Sequence, residues 1–224
     1  MKTVKTIGFT VDNSKPVHNL YVKTSAAKTD KFSNTYSNKV GKFTDYSDQE
    51  SYTYGQYFNS NVAIDLAYFD YNLDTIKVTD NGTEVPVSWS KDGAYGKGSI
   101  TISSEGSHVI EMVSTDKSGN KTEDTDDSKI VRFTIDKTAP ELTTYLNSAE
   151  YTGDNSYVGN SVAEIGVSDT NEDAEDVTVE IVRYAPDGGS STSVVNGKNP
   201  INVTDDGYYS FNYVVIDRAG NQSS

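Results

Sequence analysis

The stretch Phe133-Thr-Ile-Asp136-Lys-Thr-Ala-Pro140 divides the chain. Its first residues alternate as a strand does, and it leaves through a proline that has no N–H to give to a ladder, so one unit ends here and another begins. The same phrase stands near the start as Phe9-Thr-Val-Asp12-Asn-Ser-Lys-Pro16. A second phrase, Asp116-Lys-Ser-Gly119-Asn120, returns as Asp217-Arg-Ala-Gly220-Asn221, with a Gly-Asn pair suited to the positive dihedrals of a tight turn. Two signals, each present twice, make a tandem repeat.

Working outward, residues 3 to 11 alternate and end in the dividing phrase, which predicts the final strand of a preceding repeat over 1–12. The first domain then covers 13–136 and the second 137–224. After Asp116 the first domain continues to a closing strand ending at Ile135, whereas after Asp217 only a few residues follow, so the second domain is expected to lack its last strand. Tyr57 to Asp116 and Tyr157 to Asp217 agree in length to within one position, but Pro16 to Tyr57 is far longer than Pro140 to Tyr157. The excess is a long insertion at about 23–56. Asn81-Gly82 between two β-rich runs is the strongest hairpin signal, with Val85, Val87 and Trp89 on its second arm.

The composition suits strands. Sixteen tyrosines stand among many Thr, Ser, Val, Gly and Asn, and a hydrophobic content of 34% with mean hydropathy of −0.59 fits thin sandwiches whose strands face water on one side. No cysteine means no disulfide framework and no thiolate site. A net charge of −14 without a basic stripe excludes nucleic acid as a partner, and no apolar run reaches membrane length. Short, regularly spaced strands with a tyrosine early in the penultimate strand predict an immunoglobulin-like fold: all-β, two tandem sandwiches. Tyr209, two residues after Gly207, occupies the tyrosine-corner position, and His108, two after Gly106, is its counterpart and is expected in the core.

On these residues the units resemble the bacterial Ig-like repeats of cell-surface proteins and large adhesins, especially of Gram-positive bacteria. The matching residues are Phe133 to Pro140, Thr115 to Asn120, Ile216 to Asn221, Tyr57-Phe-Asn and Asp70-Tyr-Asn-Leu-Asp74. The resemblance covers both units except the insertion. It implies an extracellular location, wall-attached or secreted, and a non-catalytic stalk or spacer whose partners are neighbouring repeats. It also implies calcium at domain junctions, which some adhesins of this kind hold.

In such a sandwich the incoming first strand, the end of the second strand and the last hairpin meet at one pole. This brings together Asp12, Asp70, Asp74, Asp116 and Asn120 in the first domain, and Asp136, Asp169, Asp173, Asp217 and Asn221 in the second. Oxygen ligands from three loops are what Ca²⁺ requires; the alternative is that each aspartate caps its own turn. The insertion falls at the opposite pole and ends in aromatics, Tyr46, Tyr52, Tyr54, Tyr57 and Phe58. Tyrosines among Ser, Asn and Gly suit a surface for a host glycan, a matrix protein or an immunoglobulin, or else a buttress of the junction. Two histidines and no cysteine give a nucleophile-and-base arrangement little to draw on, and no enzyme activity is expected. The open edge of the second domain and the unpaired strand at 3–11 predict head-to-tail strand exchange.

Overall fold

The computed structural model describes residues 7–23, 34–35, 53–54, 56–124, 130–153, 158–169 and 176–224. The described residues contain strands and turns only. The chain divides into two compact units, one built on residues 61–134 and the other on residues 135–224, with 57–60 grouped with the latter.

The strands up to the dividing phrase are β1 (Val17–Val22), β2 (Asn34–Thr35), β3 (Thr53–Tyr54), β4 (Gln56–Phe58), β5 (Val62–Phe69), β6 (Leu73–Asp80), β7 (Thr83–Glu84), β8 (Ser90–Asp92), β9 (Tyr95–Ile102), β10 (Gly106–Asp116), β11 (Lys121–Glu123) and β12 (Val131–Ile135). One sheet has the order β1-β5-β9-β8, and another the order β4-β12-β10-β6-β7 with β11 added to β10. Period-2 alternation aims one side of each strand inward: along β10, His108, Ile110, Met112 and Ser114 are all at most 5% exposed, and along β12 so are Val131, Phe133 and Ile135. Order and alternation together are those of an immunoglobulin-like sandwich. The two sheets are tied by a buried polar bridge, in which His18 Nδ1 on β1 lies 2.7 Å from Ser114 Oγ on β10 and His18 Nε2 lies 3.1 Å from Asp124 Oδ1. Asp124 Oδ2 accepts the Met112 N–H at 2.9 Å, so the bridge is anchored to the backbone of β10.

The second unit comprises β13 (Glu141–Leu146), β14 (Ala149–Glu150), β15 (Ser161–Ser168), β16 (Asp176–Tyr184), β17 (Ser190–Asn196), β18 (Ile201–Val203), β19 (Tyr208–Ile216) and β20 (Gln222–Ser223). Its sheets run β14-β13-β15-β18 and β17-β16-β19-β20. Val177, Val179 and Val215 form its core, and Leu142, Ile165, Ile201, Phe211 and Tyr213 pack on them from both sheets. The same sandwich is therefore built twice.

Several sequence expectations are refined. The alternating stretch at 3–11 is in no strand over its described part, and Ile7, Phe9 and Val11 are 85%, 82% and 70% exposed. The Asn81-Gly82 hairpin forms with positive φ at both residues, but its second arm stops at Glu84, short of Val85, Val87 and Trp89. Trp89 instead meets the Tyr68 ring edge-on at 5.2 Å. Gly96 on β9 is required by the same side chain, since a Cβ there would lie 2.1 Å from the Tyr68 ring. Gly98 likewise leaves room for the Val87 side chain, which a Cβ would meet at 2.6 Å.

Candidate functional site

Each unit holds a triad of carboxylates at one pole. In the first unit Asp12, Asp70 and Asp116 present oxygens that all lie within 4.8 Å of one another, and in the second Asp136, Asp169 and Asp217 do the same. The equivalence is positional, because one acid precedes the first strand (β1 or β13), one follows the strand paired with it (β5 or β15), and one stands at the end of β10 or just after β19.

The turn after that strand explains how the third acid is held. Gly119 and Gly220 adopt φ of 86° and 89°, letting the chain fold back so that Asp116 N–H donates to Asn120 O at 3.0 Å and Asp217 N–H to Asn221 O at 3.1 Å. The asparagine then clamps the aspartate. Asn120 donates from its backbone N–H to Asp116 Oδ1 at 2.8 Å and from Nδ2 to Asp116 Oδ2 at 2.7 Å; Asn221 makes the same two bonds to Asp217, each at 2.8 Å. The same amide also reaches the incoming chain. Asn120 Nδ2 donates to Asp12 O at 3.0 Å, and Asn221 Nδ2 donates to Asp136 O at 2.9 Å and Thr138 O at 3.1 Å.

Turn capping is present. Asp12 Oδ1 accepts from Ser14 N–H, Asp70 Oδ1 from Asn72 N–H and Asp136 Oδ1 from Thr138 N–H, at 3.0, 2.6 and 3.0 Å. Asn72 Nδ2 further donates to Asp12 Oδ2 at 2.9 Å. Capping alone does not account for the convergence of three acids, two of them buried, in each unit. Among the described residues no Lys or Arg pairs with Asp12, Asp70 or Asp116. The electrostatic consequence shows at Asp70, whose carboxyl is pushed above its ordinary range first by burial and then by the charges of Asp116 and Asp12. Burial also works to raise Asp116, but the bonds from the Asn120 side chain and from the N–H groups of Asn120, Ser118 and Gly119 outweigh it and hold that carboxyl low.

Of the ten residues expected at these poles, six converge as triads and two, Asn120 and Asn221, clamp them. Asp74 is exposed on β6 outside the triad, and Asp173 lies outside the described residues. Asn72, in the turn after Asp70 and expected at this pole with it, joins Asp70 to Asp12.

The aromatic end of the insertion is divided. Tyr46, Tyr52 and the side chain of Tyr54 lie outside the described residues. Phe58 is 1% exposed and offers no surface to a ligand. Tyr57 is engaged by Arg218, whose Nη1 donates to the Tyr57 hydroxyl at 3.1 Å while the guanidinium lies 5.1 Å from the ring centre.

Both histidines are internal. His108 places Nε2 3.0 Å from Ser104 O and Nδ1 2.8 Å from Asp80 Oδ2, and its ring stacks on Phe133 at 5.2 Å. Tyr209 donates its hydroxyl to Asp205 O at 3.1 Å, the same four-residue reach, so the histidine stands in for the corner tyrosine. Sequence reasoning missed the bridge of His18, Ser114 and Asp124, because residues so far apart in the chain give no local signal. These are the residue types of a hydrolytic triad, but Ser114 is 0% exposed and no substrate can reach it.

No protein-family model matches the chain, and no curated protein matches it significantly. Among solved structures, it is similar to dimeric latent PorU from Porphyromonas gingivalis, at 15% identity and a TM-score of 0.32. That match covers 95% of this chain and 20% of PorU, so the chain spans about a fifth of that protein's length. It is also similar to the fibronectin(III)-like modules of Clostridium thermocellum CbhA, at 13% identity and a TM-score of 0.34 over 76% of this chain and 85% of that one. At these scores the fold rests on the strand order described above. No helix among the described residues is long and apolar enough to cross a membrane.

Proposed function

We propose that the chain is a non-catalytic pair of Ig-like modules of a bacterial cell-surface protein, wall-attached or secreted, that serves as a stalk or spacer and is stiffened by calcium. The observation that carries this reading is the repeated clamp. In both units an Asp-x-x-Gly-Asn turn grips the segment that leads into the first strand, and three carboxylates converge beside it. A spacer has to fix how the chain enters each successive module, and this clamp acts at that point.

The donor set is hard oxygen throughout, with no imidazole or thiolate, which suits Ca²⁺ rather than a transition metal. Asp12, Asp70 and Asp116 would hold one ion, and Asp136, Asp169 and Asp217 another. A cation offsets the repulsion that raises Asp70 and draws the incoming chain to the two turns. Affinities typical of extracellular modules, with Kd of roughly 0.1–1 mM, are expected because three carboxylates supply only part of a six- to eight-oxygen shell.

Calorimetric titration of the chain with CaCl₂, followed by thermal unfolding with and without the ion, tests this. Two calcium ions per chain and a higher Tm are expected. Absence of binding heat together with an unchanged Tm at 10 mM calcium, on the order of ten times the expected Kd or more, sinks the calcium reading.

A further inference from the structure

We infer that β17 is an interaction edge to which a second copy of this chain adds its own β17, antiparallel, so that two sheets join into one. β17 (Ser190–Asn196) lies outermost in the sheet β17-β16-β19-β20 and pairs with β16 alone. Among the described residues it is the longest strand at the edge of any sheet. The next longest, β1, is buried through its four central residues, whereas Ser190 to Val194 are all exposed, Val194 to 62%. No charge, proline or bulge interrupts Ser190-Ser-Thr-Ser-Val-Val-Asn196. Sheets ordinarily blunt an open edge with such devices, and this edge has none of them.

The first unit treats the same position differently. β6 pairs with β10 as β16 pairs with β19, so the strand beyond β6 is the counterpart of β17. That strand is β7, which has two residues and carries Glu84, tied to Lys77 Nζ at 3.3 Å. One edge is short and charged, and the other is long and neutral.

The backbone shows what fits the long one. Ala185 N–H donates to Gly189 O at 2.8 Å and Gly197 N–H to Val177 O at 2.9 Å, and these bonds frame the ladder between β16 and β17. Antiparallel ladders alternate, so Ser191, Ser193 and Val195 turn their N–H and C=O groups to β16, while Ser190, Thr192, Val194 and Asn196 turn theirs outward. A second β17 centred on Ser193 sets Ser190 against Asn196 and Thr192 against Val194, and symmetry repeats both pairs. Each outward backbone group then has a partner, and Thr192 with Val194 makes a β-branched cross-strand pair. Charge agrees with this register. The turn before β17 holds exposed Asp187 and the segment after it exposed Lys198, so antiparallel pairing brings an acid of one copy toward a base of the other at both ends. Two copies of a chain of net charge −14 repel, and an uncharged strand is where they meet with the least repulsion.

The interface is one strand wide, so weak association, roughly micromolar to millimolar, is expected. Sedimentation velocity across that range, on the whole chain and on Val194→Lys, tests the inference. EDTA is present throughout, so the outcome is read apart from that of the calcium sites. Val194 is exposed and stands opposite Glu180 on β16, so the lysine leaves the unit folded, which an unchanged Tm verifies. The wild-type mass should rise from 24.4 kDa towards twice that value, and the variant should associate at least tenfold more weakly. Residue-resolved hydrogen exchange should show the amides of Ser190, Thr192, Val194 and Asn196 slowing by about threefold or more in the concentrated wild-type protein. A mass of 24.4 kDa at every concentration overturns the inference and leaves the edge to an extended segment of another protein. So does a dimer that Val194→Lys does not weaken, or one in which those four amides are not slowed, since the copies would then meet elsewhere.

Discussion

The strand that ends in the clamped aspartate is built differently in the two units. In the first, the inward residues of β10 are His108, Ile110, Met112 and Ser114, all closed from water by β12 on the flank and β1 across the sandwich. In the second, the same positions hold Tyr209, Phe211, Tyr213 and Val215, and only Val215 is fully buried. The second unit uses larger, aromatic side chains where cover is thinner. Across the sandwich the contrast is chemical: His18 meets Ser114 through a hydrogen bond in the first unit, while in the second Leu142 packs on the apolar core to which Val215 belongs. One backbone plan thus tolerates a polar or an apolar tie at the same place, provided that the polar one is fully partnered.

The largest expected effect separates the units by burial. Ile110→Ala should destabilise the first unit by about 3 kcal/mol, because a fully enclosed side chain leaves a cavity. Phe211→Ala should destabilise the second by about 2 kcal/mol, since part of its ring already meets solvent. Urea unfolding at low protein concentration, with Trp89 reporting the first unit and far-ultraviolet circular dichroism both, resolves the two. Equal shifts would remove the distinction.

Next is the tie itself. His18→Leu should cost about 2 kcal/mol by leaving Ser114 and Asp124 without the imidazole. Adding Ser114→Val, which recreates the apolar pair of the second unit, should restore about 1 kcal/mol of that. Strict additivity of the two substitutions would show that the ties are not interchangeable.

Calcium should act alike on both units. At an ion concentration tenfold above Kd, each unit should gain about 1.4 kcal/mol. Asp116→Asn should abolish the gain in the first unit only, and Asp217→Asn in the second only. If either substitution removes both gains, the sites are not separate.

The smallest effect concerns acid. Asp116 is held low in the folded state, so its contribution is complete above the ordinary carboxylate range and is lost as pH falls through its folded value. Asn120→Ala removes the side-chain bond, the largest of those that lower it, while the backbone N–H bonds remain, and the acid transition of the first unit should move to higher pH. Asp70, raised by burial and by its two neighbours, has the opposite sign: ionisation at neutral pH opposes folding, and protonation relieves it. Protons compete with the ion for Asp70, so the calcium affinity of the first unit should begin to weaken at a higher pH than an ordinary carboxylate would give. Release only at lower pH would count against the triad.

Local chemistry made much of this legible. Asp-x-x-Gly-Asn declares its turn because only a residue free of a Cβ settles easily at the positive φ of Gly119 and Gly220, and Asn81-Gly82 declares its hairpin for the same reason. The six triad aspartates were legible too, since a repeat carries its turns to equivalent places. Strand existence followed from alternation, but strand ends did not. Val85 to Trp89 keep the pattern of a strand, yet the pairing ends with the bond from Val85 N–H to Val78 O at 2.9 Å, because alternation shows only that one face is apolar and says nothing about how far a neighbouring backbone runs alongside.

The sequence by itself determined the repeat, the all-β fold, the turns and the acids that those turns carry, because each depends on neighbours within a few positions. Only the tertiary structure decided the rest. It joined His18 to Ser114 and Asp124, and buried Phe58 where a ligand surface was one of two readings. It also left Ile7, Phe9 and Val11 exposed beside no partner strand. Those outcomes depend on which strands lie side by side and which side chains are closed from water, and contacts between residues a hundred positions apart leave no period in the sequence to read.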